Sequence, residues 1–244
     1  MAIICKRSSA LNPMQFSYCP GCGHGIITRI VAECLEEMDL IDIAIGVAPV
    51  GCSSNIRMFY NVDMLSSMHG RACANATGIK RFHPDAFVFT YQGDGDFGAI
   101  GTAESVHAAH RGEKISTIVV NNSVYGMTGG QMAPTTLPGQ KTTTSPYGRD
   151  VETCGAPLRF AELIAPIEGA KFVARVSIDT PAHVREAKRA VKRAFQCQIE
   201  GKGYSMVEFL STCPTNWGLA PQEAMEWMRE NMMPYFKMGI IKDF

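Results

Sequence analysis

The sequence lacks both an excess of charge of either sign and a long apolar run. Its 23 lysines and arginines balance its 23 aspartates and glutamates. This balance argues against a nucleic-acid-binding protein, because such proteins are normally basic. No apolar stretch approaches the ~20 residues that cross a bilayer, and the N-terminus MAIICKRSSA lacks the apolar core of a signal peptide. We therefore expect a cytoplasmic protein that binds neither nucleic acid nor a membrane.

Internal repeats, low-complexity segments and a linker that would divide the chain are also missing. A chain of 244 residues can bury a substantial core. We therefore expect residues 1–244 to form a single domain, with a helical C-terminal extension from about residue 214 to 244.

Cysteine, in contrast, is plentiful. An odd count of nine in a chain of this length does not fit a secreted disulfide framework and points to metal or cluster ligands together with buried thiols. Four cysteines lie in predicted loops: Cys19 and Cys22 in YCPGCGH, Cys52 in VGCSS, and Cys213 in STCPTNWG. From spacing alone they could hold zinc or a [4Fe–4S] cluster, form a redox dithiol, or simply shape turns. The others are interpreted as structural: Cys5, Cys34, Cys73, Cys154 and Cys197.

Apolar runs of strand length alternate along the chain with segments of helical periodicity. The predicted strands are 41–47, 86–92, 115–121, 171–177 and 204–210, and the main predicted helices are about 26–38, 99–111, 159–166, 181–200 and 221–233. Apolar strands that alternate with helices are typical of an α/β fold with a mostly parallel sheet covered by helices on both faces. Ligands of such sheets bind at the carboxyl ends of the strands, where the unusual residues of this sequence are expected.

The strongest chemical signal begins with GDGD (93–96) and ends with NNSVYGMTGGQ (121–131). The glycines beside Asp94 allow backbone N–H groups to approach phosphate oxygens. A carboxylate and a diphosphate repel each other, but Mg²⁺ can bind both, since it prefers oxygen ligands. The intervening helix and strand return Asn122 to the sheet edge beside Asp94. The segment therefore predicts a diphosphate and magnesium site, to which the Val124 carbonyl can add a further ligand.

The motif GDG…NN over residues 93–122 is similar to the signature of thiamine-diphosphate-binding proteins. Its extended form, residues 93–131, resembles the thiamine-binding β subunits of 2-oxoacid:ferredoxin oxidoreductases. CPGCGH, GVAPVGCSS, HGRACANATGIK and STCPTNWG fit the same family in the same order, so that the resemblance spans roughly residues 16–220. It implies the thiamine-diphosphate-binding fold.

The resemblance implies three cofactors, which are thiamine diphosphate, Mg²⁺ and a [4Fe–4S] cluster. The implied magnesium ligands are Asp94, Asn122 and Val124, and the implied cluster ligands are Cys19, Cys22, Cys52 and Cys213, the first two in an N-terminal cluster-binding segment. The implied cofactor contacts are Val50, Gly51, Cys52, Ser53, His69, Gly93, Asp94, Gly95, Asp96, Asn122, Val124, Tyr125, Gly126 and Met127.

Three side chains that are not among these implied ligands and contacts are further candidates. Arg71 is expected to bind an anion or to form a salt bridge, and His24 is expected to cap the helix after CPGC. Asn55, together with Met127, is a candidate for the substrate pocket. Among the implied contacts, His69 is a possible catalytic residue. Thiamine catalysis also needs a glutamate against the aminopyrimidine ring, and the resemblance implies that a partner subunit supplies it, so we expect the isolated chain to be inactive.

The implied function is that of a subunit of an enzyme that oxidatively decarboxylates a 2-oxoacid with coenzyme A. The products are acyl-CoA and CO₂, and electrons leave through the cluster to external ferredoxin. The implied partners are an α subunit, with γ and small ferredoxin-like subunits. Branched-chain 2-oxoacids, 2-oxoglutarate and pyruvate are all open as substrates. The alternative is a non-redox thiamine-diphosphate-dependent decarboxylase or lyase in which the cysteines bind structural zinc.

Overall fold

A seven-stranded sheet forms the centre of the molecule, whose computed structural model describes residues 6–244. In spatial order the strands are β2 (Asp63–Ser66), β1 (Ala44–Ala48), β3 (Phe87–Gly93), β4 (Ser116–Asn121), β8 (Tyr204–Leu210), β7 (Ala170–Ser177) and β9 (Gly239–Lys242). All neighbours pair in parallel except β9, which runs antiparallel to β7. A separate hairpin consists of β5 (Val124–Tyr125) and β6 (Gln131–Met132). The predicted mostly parallel α/β fold is thus confirmed.

Helices connect the strands. They are α1 (His24–Glu37), α2 (Ile56–Phe59), α3 (Ala72–Phe82), α4 (Thr102–His110), α5 (Val151–Cys154), α6 (Phe160–Ile164), α7 (Pro181–Ile199), α8 (Pro214–Trp217), α9 (Pro221–Trp227) and α10 (Met233–Tyr235). The longest, α7, begins as its sequence predicts, because the Thr180 side chain accepts a hydrogen bond from the His183 N–H and Pro181 opens the first turn. A π-helical turn, Asp96–Ile100, precedes α4, and a second one, Met228–Met232, joins α9 to α10.

Each face of the sheet is covered by its own set of helices. Helices α1 and α7 pack with buried side chains of β1, β3, β4, β7 and β8 in one core, whereas α3, α4 and α6 pack in a second core. Along β8, Val207 and Phe209 belong to the first core and Met206 to the second. This alternation with a period of two follows from the strand geometry. It explains why the central strands appear in the sequence as continuous apolar runs.

The five predicted strands correspond to β1, β3, β4, β7 and β8. Two edge strands were not predicted. The first, β2, is mostly exposed, and so is β9, so neither has the apolar run of a buried strand. The segment after Cys213 contains α8, α9, the second π-helical turn and α10 and then ends in strand β9, which corrects the prediction of a helical extension from about residue 214 to 244.

The topology brings five segments to one edge of the sheet. Because β1, β2, β3, β4 and β8 are parallel, their carboxyl ends lie on the same side. The residues that follow these strands include, in turn, Cys52, His69, Asp94, Asn122 and Cys213. Among residues 6–244, no helix has the length and apolar character needed to span a bilayer.

Candidate functional site

One cavity at this edge of the sheet gathers the residues singled out in the sequence. All fourteen implied cofactor contacts line it, together with His24 and Thr128. The fourteen come from the carboxyl ends of β1, β2, β3 and β4 and from the segments that follow these strands, so parts of the chain far apart in sequence meet in one place. That these residues contact a cofactor stays a prediction.

Asp94 lies buried in the wall of the cavity. Its carboxylate accepts hydrogen bonds from the Gly95 N–H, at 2.8 Å, and from the Thr135 hydroxyl. Burial raises the pKa of Asp94 to about 7, although these hydrogen bonds act in the opposite direction. A buried carboxylate normally needs a cation or several donors, so the position suits a metal ligand.

The turn after β4 presents Asn122 beside Asp94 in the same cavity. The Asn122 amide oxygen accepts a bond from the Val124 N–H at 3.3 Å. Ser123, in the middle of the turn, has a positive φ of 60°. A left-handed conformation is uncommon for a residue other than glycine. Here the turn is braced, because the Thr136 hydroxyl donates to the Ser123 carbonyl and the Gln140 amide donates to the Ser123 hydroxyl.

The donor set of this turn and of Asp94 fits magnesium. A carboxylate, an amide oxygen and the Val124 carbonyl are hard oxygen ligands of the kind that Mg²⁺ prefers. In addition, the Ser53 hydroxyl is buried in the cavity wall and has no hydrogen-bond partner within residues 6–244. Such a group can donate to a phosphate oxygen, so the residues present fit a magnesium diphosphate.

A buried ionic network holds Asn121, the residue before this turn. The Asn121 amide donates to Glu208 at 2.8 Å, and Nε of Arg175 donates to the other oxygen of Glu208 at 2.9 Å. Arg175 and Glu208 are both 0% exposed, and Arg175 also pairs with Glu162. The network joins the neighbouring strands β4, β8 and β7 directly behind the turn.

Asp96 and His69 form a pair that the sequence did not predict. The His69 Nδ1 and Asp96 Oδ1 atoms are 2.7 Å apart, and the Gly70 N–H and the Gln92 amide also donate to the Asp96 carboxylate. Burial raises the pKa of Asp96 above its ordinary value. Asp96 lines the cavity as implied, but its carboxylate is occupied in holding His69, whose side chain is 33% exposed. A histidine fixed through Nδ1 presents Nε2 as its other nitrogen.

Gly95 is required by a close approach within the cavity wall. A Cβ atom at this position would lie 2.1 Å from the ring of Tyr125. The absence of a side chain therefore allows the turn after β3 to pack against the hairpin strand β5. This contact brings GDGD and the NNSVYG segment together.

The CPGC turn is attached to the segment that carries Cys213. The Thr212 hydroxyl donates to the Gly21 carbonyl at 2.7 Å. The Gly23 N–H donates to the Thr212 carbonyl at 3.4 Å, and the Cys22 N–H closes the turn on the Cys19 carbonyl at 3.0 Å. Both ends of the cysteine set are thereby fixed at the same sheet edge.

The thiols of Cys19, Cys22, Cys52 and Cys213 are neighbours. Burial, followed by smaller contributions from the other three thiols, raises the pKa of Cys22 to about 12. Burial and the Cys213 and Cys19 thiols likewise raise the pKa of Cys52 to about 11. Within residues 6–244, no group of three or more histidine, cysteine, aspartate or glutamate side chains is arranged so that it could hold a metal ion. The four thiols are therefore close together without forming a ready-made single-ion site.

Gly126 adjoins two thiols of this set, those of Cys52 and Cys213, and also the Asn122 side chain. A Cβ atom on Gly126 would lie 3.3 Å from Cys52 Sγ, 3.6 Å from Cys213 Sγ and 3.7 Å from the Asn122 amide nitrogen. The two halves of the site therefore meet at Gly126, whose lack of a side chain leaves room for this close approach.

The other cysteines lie away from the cavity wall, as free thiols. Cys34, Cys73 and Cys197 are buried, whereas Cys154 is exposed. Cys5 lies outside the described residues.

Several predictions about single side chains need correction. His24 does not cap α1; it is the first residue of that helix, and its ring is buried between Tyr18, stacked at 5.1 Å, and the Tyr91 hydroxyl, 3.0 Å from Nδ1. Burial lowers the pKa of His24 to about 4. Asn55 is not among the residues that line the cavity.

Arg71, for which anion binding and a salt bridge were both open, forms an ion pair with Glu104. Met127, the other candidate for the substrate pocket, lines the cavity and is 50% exposed.

Comparisons with known proteins agree with this geometry. The family described as thiamine pyrophosphate enzyme, C-terminal TPP binding domain, matches residues 49–209. Ketoisovalerate oxidoreductase subunit VorA of Methanothermobacter thermautotrophicus is 43% identical over 238 residues, which cover 98% of this chain and 50% of that protein. 2-Oxoglutarate synthase subunit KorB of Methanocaldococcus jannaschii is 37% identical over 220 residues, which cover 88% of this chain and 77% of that protein.

A solved structure is similar over almost the whole chain. It is a 2-oxoglutarate:ferredoxin oxidoreductase from Magnetococcus marinus with 2-oxoglutarate, coenzyme A and succinyl-CoA bound. The TM-score is 0.80 at 26% sequence identity, covering 99% of this chain and 86% of that one. This chain spans about half the length of the ketoisovalerate oxidoreductase subunits that it matches.

Proposed function

The chain belongs to the thiamine-diphosphate-binding β subunits of the 2-oxoacid:ferredoxin oxidoreductases, and we propose that it forms the redox half of such an enzyme's active site. In the proposed reaction a 2-oxoacid, coenzyme A and two oxidised ferredoxins give acyl-CoA, CO₂, two reduced ferredoxins and a proton. The observation that supports the proposal is that the Cys52 and Cys213 thiols and the Asn122 amide all approach Gly126, in a cavity that Asp94, Asn122 and Cys52 line. The proposal treats residues 1–244 as one thiamine-diphosphate-binding domain in a cytoplasmic enzyme.

In this proposal Asp94, Asn122 and the Val124 carbonyl hold Mg²⁺, and the glycine-flanked turn after β3 faces the diphosphate. The Ser53 hydroxyl, buried and without a partner in the described residues, donates to a phosphate oxygen. The bound thiamine supplies the stabilisation of the carbanion that forms when CO₂ leaves. The protein's own task at this end is to bind and orient the diphosphate.

The four thiols hold the [4Fe–4S] cluster. Oxidative decarboxylation releases two electrons, which need a one-electron carrier close to the reacting carbon. A cluster on Cys52 and Cys213 would lie beside the Asn122 side chain, since both thiols and the Asn122 amide approach Gly126. Zinc in the same position cannot accept electrons, so a ferredoxin-dependent reaction favours the cluster.

The remaining catalytic groups are divided between this chain and a partner. His69, held by Asp96, is assigned to contact with the cofactor and to proton transfer through Nε2. The glutamate against the aminopyrimidine ring is assigned to an α subunit, and the cavity-lining residues within 6–244 include no glutamate. The companion γ and ferredoxin-like subunits belong to the same proposal.

The cavity wall favours a 2-oxoacid with an apolar side chain. Val50 and Met127 are both 50% exposed and both line the cavity. Lysine and arginine are missing from the lining that residues 6–244 provide, whereas a substrate such as 2-oxoglutarate carries a second carboxylate that a cation would pair. We therefore propose a branched-chain 2-oxoacid as the preferred substrate.

The test uses the full chain, purified without oxygen together with the subunits that accompany it. Iron, sulfide and thiamine are quantified in one sample, and its visible spectrum is recorded before and after dithionite. We expect absorption at about 400 nm that bleaches on reduction. We also expect higher activity with branched-chain 2-oxoacids than with 2-oxoglutarate or pyruvate. A colourless protein that contains zinc and decarboxylates without ferredoxin would establish the non-redox alternative instead.

Two variants divide the site into its halves. Asp94→Ala is expected to lose thiamine diphosphate and to keep iron, whereas Cys52→Ser is expected to lose iron. Cys154→Ser is the matched control, because Cys154 is exposed and lies outside the cavity wall. Retention of iron in Cys52→Ser at the level of the control would contradict the assignment of the cluster.

A further inference from the structure

Asn216 connects the thiol set with the turn that follows β4. It lies in α8, the helix that begins directly after Cys213. Its side-chain nitrogen donates to Cys213 Sγ at 3.1 Å and to the Gly126 carbonyl at 2.9 Å. Trp217, the next residue, donates its indole N–H to the Asn122 carbonyl at 3.2 Å. This one short helix therefore contacts both halves of the site.

The geometry fixes which end of the Asn216 amide faces the sulfur. A backbone carbonyl can only accept a hydrogen bond, so the group facing Gly126 must be the NH₂ and not the oxygen. The NH₂ group has two hydrogens, and the two acceptors use one each. The Asn216 side chain also packs closely against Gly130, since a Cβ atom on Gly130 would lie 3.0 Å from the Cβ of Asn216. The donor is thus held in place against the sulfur.

A hydrogen bond to a cluster thiolate favours the reduced cluster. Reduction adds negative charge, part of which resides on the sulfur ligands, and a donor stabilises that charge. Hydrogen bonds to sulfur are among the features that set the potential of an iron–sulfur cluster. Removal of such a donor should make the cluster harder to reduce.

We propose that Asn216 is a positioning residue that raises the reduction potential of the cluster bound to Cys213, so that the cluster can accept electrons from the adjacent thiamine site. The inference rests on the proposed function, because it requires a cluster on Cys213. Trp217 has a different task in this arrangement. Its indole holds the Asn122 turn through the hydrogen bond to the Asn122 carbonyl.

The experiment is a redox titration of the cluster, followed by EPR, in the full chain with its accompanying subunits. Asn216→Leu keeps the approximate shape of the side chain and removes the donor, and we expect its midpoint potential to be more negative than that of the wild type. Thr215→Ala serves as the matched control from the same helix, because Thr215 is exposed, and we expect it to leave the potential unchanged. Trp217→Phe should instead weaken the binding of magnesium thiamine diphosphate, measured by titration calorimetry.

The results separate this inference from the proposed function. Wild-type protein without iron or an EPR signal would overturn the proposed cluster and, with it, the role of Asn216. A wild-type cluster combined with an unshifted potential in Asn216→Leu would overturn the role of Asn216 alone. If Asn216→Leu does not retain iron, pulsed EPR of the wild type tests the hydrogen bond from Asn216 to the cluster instead. Protein grown with asparagine that carries ¹⁵N only in its side-chain amide should show a ¹⁵N coupling to the reduced cluster, and absence of that coupling would overturn the inference.

Discussion

Replacing Arg175 by methionine is expected to destabilise the protein strongly, because it leaves a charge buried. Arg175 and Glu208 are both 0% exposed, and without the guanidinium the Glu208 carboxylate keeps the Asn121 amide as a donor. Breaking a buried ion pair by removing one partner costs about 3–5 kcal/mol. We expect Arg175→Met to lower the free energy of unfolding by that amount.

The double variant Arg175→Met/Glu208→Leu should be less destabilised than Arg175→Met alone. It removes both charges and replaces them with apolar groups, a change that is often close to neutral for a buried pair. The cost that stays is the unpaired Asn121 amide, about 1–3 kcal/mol. Glu162, the other charged partner of Arg175, is 41% exposed and can be solvated. The pair should therefore show a coupling energy of about 2 kcal/mol or more, well above the additivity limit for independent sites.

The assay is equilibrium unfolding in urea, followed by circular dichroism under reducing conditions, for the wild type, both single variants and the double variant. Arg189→Met is the control, because its ion pair with Glu186 is exposed and long, at 4.0 Å, and such pairs contribute at most about 1 kcal/mol. Single-variant effects that add to within about 0.5 kcal/mol in the double variant would refute the reasoning.

Two further predictions concern the cavity wall. Thr135→Val removes the hydroxyl that donates to Asp94. Loss of a hydrogen bond to a charged group costs about 1.5–3 kcal/mol, so this variant should bind magnesium thiamine diphosphate roughly tenfold or more weakly. Thr143→Val, at an exposed position, is the control, and equal affinities in the two variants would contradict the role of Thr135. Gly126→Ala would place a Cβ atom 3.3 Å from Cys52 Sγ, so we expect this variant to contain less iron after anaerobic purification. Unchanged iron and thiamine contents would contradict the requirement for a glycine at this position.

The central sheet could be predicted from the sequence because its strands are buried on both faces. The sequence YSMVEFL, for example, is fully buried as Tyr204–Leu210 and forms a strand with the predicted bounds. Edge strands are different, since only one side pairs and their residues can be exposed. The strand Gly239–Lys242 is recognisable only by its pairing with β7, which depends on the tertiary fold.

The candidate site could be predicted where its residues directly follow a buried strand. Asp94 and Asn122 are of this kind, because turn residues after apolar runs mark the sheet edge. Thr135 was missed because it reaches Asp94 across 41 positions from within a long polar segment. Asn216 lies inside the quoted segment STCPTNWG, but its hydrogen bond to Gly126 spans 90 positions. A contact over that distance leaves no periodic pattern in the sequence, so it could not be predicted.

The contact between Thr212 and the Gly21 carbonyl has a consequence for the order in which the protein is made. It joins positions 191 residues apart, so the first two cysteines of the thiol set meet the last one only when most of the chain has left the ribosome. Closing so long a loop is costly in entropy and favours late assembly. Once assembled, burial keeps the Cys22 and Cys52 pKa values at about 12 and about 11, so these thiols are protonated and poor nucleophiles at neutral pH. Folding therefore protects these two thiols from oxidation, a protection that the newly made chain lacks until Gly21 and Thr212 have met.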